Sequence, residues 1–99
     1  MKNINLMYGN DTDDVDILCV PDRIADHLEE VVQTFFQWMS DKSHSHDFWL
    51  ELPSGCRCLA LDTTAFIWWL NNFYLRDMEY VSVVKKHTKL CNAYPIADF

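Results

Sequence analysis

"EYVSVVKKHTKLC", residues 79–91, reads two ways, and the choice between them sets the fold. Its β-branched start, "EYVSVV", suits a strand. Over a longer window the same residues sort onto two sides of a helix. Ser82, Lys85, Lys86 and Lys89 share one side, and Tyr80, Val81, Val84, His87 and Cys91 share the other. Asp77 and Glu79 stand at the start and the lysines near the end, as the helix dipole prefers. The longer pattern predicts a helix over 77–91.

Immediately upstream, "AFIWWLNNFYL" (65–75) holds five aromatic rings in eleven positions and no charge. Asp62 or Thr63 is placed to cap it. At about 100° per residue, Phe66, Ile67, Leu70, Phe73 and Tyr74 fall in one apolar arc, with Trp69 at its edge. Trp68 falls nearly opposite, beside Asn71 and Asn72. An indole on that side either packs under a neighbouring element or faces a partner.

Before this helix, "DFWLELPSGCRCLALD" (47–62) reads as a hairpin turned by "PSG". Phe48, Leu50 and Leu52 share one face of its first strand, and Trp49 and Glu51 the other. In "CRCLAL", Arg57, Leu59 and Leu61 alternate with Cys56, Cys58 and Ala60, which predicts a strand covered on both sides. An earlier hairpin joins "NINLMY" (3–8) to "VDILCV" (15–20) through the turn-rich "GNDTDD". Pro21 and Asp22 then open a helix that runs to Ser40. Ile24, Leu28, Val31, Val32, Phe35, Phe36 and Met39 form its apolar stripe. "NAYPIADF" follows as an extended tail, tied down by Tyr94, Ile96 and Phe99.

The predicted order is β-β-α-β-β-α-α. It describes a single α+β domain over residues 1–99, with about four mainly antiparallel strands and three helices. No stretch approaches the roughly 20 apolar residues of a membrane span, and the start lacks the apolar core of a signal peptide. A cytoplasmic protein is expected, with Cys19, Cys56, Cys58 and Cys91 reduced and mostly buried.

The net charge of −7 is unevenly placed. Residues 11–30 carry eight acids (Asp11, Asp13, Asp14, Asp16, Asp22, Asp26, Glu29 and Glu30) against one base, Arg23. The rest of the chain balances at seven acids and seven bases. Direct nucleic-acid binding is disfavoured, because it relies on neutralising phosphates. A basic protein partner is favoured.

Catalytic patterns are thin. "HSHD" and "CRC" supply ligand types in His44, His46, Asp47, Cys56 and Cys58, without the spacing of a closed zinc site. "DTDDVD" lacks the glycine and the closing glutamate of a calcium loop. With Gly9 and Gly55 as the only glycines, no glycine-rich phosphate loop can form. A cysteine could meet His27 or His87 in space, but no nucleophile elbow supports it. We therefore expect no enzyme, no metal and no cofactor. The expected partner-binding residues are Asp11, Asp13, Asp14, Asp26, Glu29 and Glu30, with Trp49 and Trp68 as aromatic anchors.

In "LPSGCRCLALDTTAFIWWLNNFYL" (52–75) and "KHTKLCNAYPIADF" (86–99), set in an acidic α+β chain of this size, the sequence resembles small bacterial immunity proteins. These are encoded beside contact-dependent growth inhibition and related polymorphic toxins. The resemblance is one of type and carries over no individual residue. It implies a one-to-one complex of a monomer with a cognate toxin, often a nuclease, that neutralises it in the producing cell. A phage-type inhibitor mimicking nucleic acid would share the acidity. A homo-oligomeric adaptor would place Trp38, Trp49 or Trp68 at a self-interface. An uncharacterised metal-binding or catalytic protein is the third alternative.

Overall fold

The hairpin of β1 (Lys2–Met7) and β2 (Val15–Val20) is the centre of the sheet in the computed structural model, which describes residues 1–44, 46–75 and 81–99. Its register pairs Ile4 with Leu18 and Leu6 with Asp16. Side chains alternate along a strand, so Ile4, Leu6, Leu18 and Val20 share one face. The reversal between the strands uses left-handed backbone at Gly9 and Asn10 (φ 57° and 65°), the residue types that tolerate it.

After Pro21, α1 (Asp22–Asp26) and α2 (Leu28–Ser40) replace the single expected helix, with His27 standing between them out of helical geometry (φ −125°, ψ 35°). The apolar stripe runs on across this break. Ile24, Leu28, Val31, Val32, Phe35 and Met39 are all buried against the Ile4–Leu6 face, and Phe36 is half-buried at their edge.

The second hairpin, β3 (Trp49–Glu51) and β4 (Arg57–Leu59), forms as read, with Trp49 opposite Leu59 and Glu51 opposite Arg57. It stands apart from the main sheet. Leu50 and Leu52 are exposed, as are Arg57, Cys56 and Cys58. The expectation of a strand covered on both sides, with buried thiols, is therefore corrected at Cys56 and Cys58. Cys19 and Cys91 are partly buried.

Asp62 caps α3 (Thr63–Trp69) by accepting the Ala65 N–H at 2.9 Å. The helix then widens into a π-turn over Leu70–Tyr74, where Leu75 N–H reaches back five residues to the Leu70 carbonyl at 2.8 Å. The wider turn shifts the phase of the apolar arc. Phe66, Trp69 and Leu70 are buried, whereas Phe73 and Tyr74, expected inside, are exposed.

The largest correction concerns the C-terminal third. Residues 77–80 of the expected last helix lie outside the described residues. The remainder is β5 (Ser82–Thr88), antiparallel to β2. β2 would otherwise be an unpaired edge beside a buried core, and filling that edge outweighs a helical pattern. Two register irregularities interrupt the pairing, between Val15 and Ile17 and between Ile17 and Leu18. Each puts an extra residue into β5, as a bulge does. β6 (Ile96–Asp98) lies parallel to β1 on its other side, giving the order β5-β2-β1-β6.

The connection between β5 and β6 passes the sheet face opposite the helices. Asn5, fully buried on that face, holds it with three hydrogen bonds. Its amide donates to the Cys91 and Tyr94 carbonyls at 2.9 and 3.2 Å and accepts from Cys91 N–H at 3.1 Å. Phe99 then turns in beside Phe35, Phe36 and Phe66, with ring centres 5.3–5.5 Å away. Of the three residues expected to fix the tail, Phe99 does so by packing. Tyr94 contributes a carbonyl, and Ile96 is 46% exposed.

Candidate functional site

The acids of residues 11–30 do not gather into one surface. Asp11, Asp13 and Asp14 are exposed in the β1–β2 turn, where Asp11 accepts the Asp13 N–H at 3.0 Å. Asp22 and Asp26 stand at the opposite end of β1, roughly 16 Å away at the strand's rise per residue. There Asp26 binds Lys2 Nζ at 2.6 Å, and Asp22 binds the Met1 ammonium at 2.9 Å. That hydrogen-bonded ion pair lowers the Asp22 carboxyl below its usual value and raises the ammonium. Glu29 faces β6, in a groove it shares with Asp98, and Glu30 lies in a separate cleft with Arg23 and His27. Among the described residues, no base pairs with Asp11, Asp13, Glu29 or Glu30.

Asp16, counted with the block in the sequence, is a structural residue. It is 8% exposed, and its carboxylate accepts the Thr63 hydroxyl and, at 3.1 Å, the His87 N–H. Thr63 also bonds the Tyr8 hydroxyl through both its N–H and its own oxygen. This network ties the start of α3 to the central hairpin and to β5. Burial pushes the Tyr8 phenol above its usual value, against the hydrogen bonds from Thr63.

Trp49 and Trp68 come together through a ring they share. His46 stacks on Trp49 at 5.5 Å and lies 6.1 Å from Trp68. Trp68 also meets Phe73 at 5.0 Å, Phe48 at 5.5 Å and Trp38 at 6.1 Å. It is half-buried, packed against these rings on one side and open on the other. Trp49 carries the Arg57 guanidinium over its ring at 5.4 Å. The cleft beside it is lined by Lys42, His44, His46, Glu51 and Arg57. This aromatic cluster is thus bordered by bases, and it is separate from the acids of the turn.

His44 and His46 have a structural use. α2 has no base in its last turn to meet the free carbonyls at its C-terminus. His44 Nδ1 lies 2.8 Å from the Trp38 carbonyl, and His46 Nε2 lies 3.1 Å from that of Met39. Carbonyls only accept, so these nitrogens carry the protons. His46 Nδ1 then accepts the Phe48 N–H at 3.2 Å, which occupies both ring nitrogens. Asp41 starts the same loop by accepting the Ser43 N–H and hydroxyl, which lowers its carboxyl below the usual value. Cys56 and Cys58 lie out on the exposed hairpin. Among the described residues, no three His, Cys, Asp or Glu side chains come together to hold a metal. No helix among them is long and apolar enough to cross a membrane.

Sequence reasoning missed the groove between α2 and β6, because it needs β6, a three-residue strand set in a tail. It also missed the role of His44 and His46 in meeting the free carbonyls at the end of α2. Their spacing from the α2 C-terminus was the available signal. Comparison with protein-family models, curated proteins and solved structures gave no match.

Proposed function

We propose that this protein binds and neutralises a cognate protein toxin, a basic nuclease, in a one-to-one complex, in the manner of small bacterial immunity proteins. One observation carries the reading. The whole net charge of −7 arises from residues 11–30, and Asp11, Asp13, Glu29 and Glu30 from that segment are exposed without a basic partner among the described residues. Uncompensated carboxylates on a rigid frame suit a cationic cleft that normally takes phosphates, and opposite charge speeds the encounter. Trp49 and Trp68 add an aromatic surface of the kind that supplies binding energy.

Immunity genes lie beside the toxins they answer, so the test uses the product of the adjacent gene. Co-expression should restore growth to cells producing it, and the two proteins should co-elute at one-to-one stoichiometry. A toxic neighbour that still kills and forms no complex would contradict the reading.

A further inference from the structure

β6 is an edge of the sheet whose outward side is unused among the described residues. Among the described residues it pairs only with β1, and the Pro95 carbonyl and Phe99 N–H both point there, to Asn5 N–H and the Met7 carbonyl, each at 2.8 Å. Backbone groups alternate along a strand. The N–H and C=O of Ile96 and Asp98 therefore face away from β1, as a template for one more strand. Beside this edge runs a groove of about 390 Å³. Val32 and Phe36 give it an apolar lining with Glu29 at its rim, and the backbone edge of β6 closes it. Ile96 and Asp98, paired with Asn5 and Met7, turn their side chains to the opposite face of the sheet. An edge next to apolar pockets is how extended peptides are recognised, the backbone supplying affinity and the side chains specificity. The two acids, neither paired with a base among the described residues, decide the sign of the guest.

We propose that an extended basic segment of the protein partner adds to β6 as a strand. It places alternate apolar side chains against Val32 and Phe36 on the helix side of the sheet, and the lysines or arginines between them beside Asp98 on the other side, with Glu29 adding to the negative field. The proposal rests on the reading of a basic protein partner and names its point of attachment.

The probe is an arrayed set of seven-residue peptides alternating Val or Thr with Lys or Arg, titrated into the isotopically labelled protein. Binding should move the Ile96 and Asp98 amide resonances. Glu29→Gln with Asp98→Asn should weaken it at least fivefold, and N-methylation of the bound peptide should abolish it. Three results would overturn the proposal: no peptide binds; the shifts map to the Asp11–Asp14 turn; or β6 is already occupied by a second copy in a dimer. A toxin complex formed by a protein that fails these tests would leave the proposed function standing without this groove. Peptide binding by a protein that fails to neutralise the toxin would do the reverse.

Discussion

The Asp14 carboxylate accepts the Nδ1–H of His87 at 2.7 Å, across the β1–β2 turn and the end of β5. The His87 N–H goes to Asp16 at 3.1 Å, and its backbone is left-handed, with φ 52°. Two carboxylates thus hold one residue in a conformation that side chains rarely adopt. The two bonds differ in setting. Asp14 and His87 are exposed, whereas Asp16 is buried. Asp14→Asn should therefore change stability by less than about 1 kcal/mol. Asp16→Ala strands the Thr63 hydroxyl and the His87 N–H and should cost roughly 2–3 kcal/mol. Urea unfolding of the two variants measures the difference, and equal costs would be inconsistent with this geometry.

His87 also shows why β5 could not be read in advance. A strand announces itself by alternation, and the two irregularities in the β2–β5 register break that alternation. Val83 and Val84 become consecutive members of the strand, both exposed. The remaining spacing of lysines and valines then imitates a helix. β1 and the α2 stripe were legible because a period-2 and a 3.6-residue pattern survive in them, and β2 because a short apolar run follows a turn-rich segment. The phase of Phe73 and Tyr74 was lost to the π-turn, which no residue in "LNNFY" signals. The candidate acids were legible as residue types, but their separation to opposite ends of β1 depends on the hairpin register.

Phe66 and Trp68, two residues apart, belong to different layers. Phe66 is fully buried against Phe35 and Phe99, at 5.1 and 5.4 Å, and Trp68 is half-buried in the outer cluster. Phe66→Ala should destabilise by roughly 3–5 kcal/mol, the range for buried aromatic truncation. Trp68→Ala should cost about half as much. Equal losses would mean that the outer cluster is as tightly packed as the core.

Trp69 is 2% exposed, and its indole N–H has no hydrogen-bond partner among the described residues. An unmet buried donor costs about 1–3 kcal/mol. Trp69→Phe removes the donor along with some packing, and the two effects oppose each other. Its net cost should stay below about 1 kcal/mol in thermal or urea unfolding. A loss like that of Phe66→Ala would show that packing alone sets the energy at this site.

The raised Tyr8 phenol gives a pH signature. The folded state favours the neutral form, so the stability it contributes is fully present below the usual tyrosine value near 10. It is lost as pH rises through the higher folded value. Absorbance titration should show Tyr8 ionising after an exposed tyrosine, and Tyr8→Phe should delete that late step. A Tyr8 that ionises with the exposed rings would contradict its burial against Thr63.

The central claim, that exposed carboxylates steer a basic toxin onto this protein, is tested most directly by the association rate at low salt. Asp11, Asp13 and Asp14 are replaced together by Asn, at positions where exposed charge contributes little to folding. The variant should associate several-fold more slowly with the toxin and show a shallower dependence on salt, with its unfolding midpoint nearly unchanged. An association rate and salt dependence equal to those of the parent protein would contradict steering by the acidic turn.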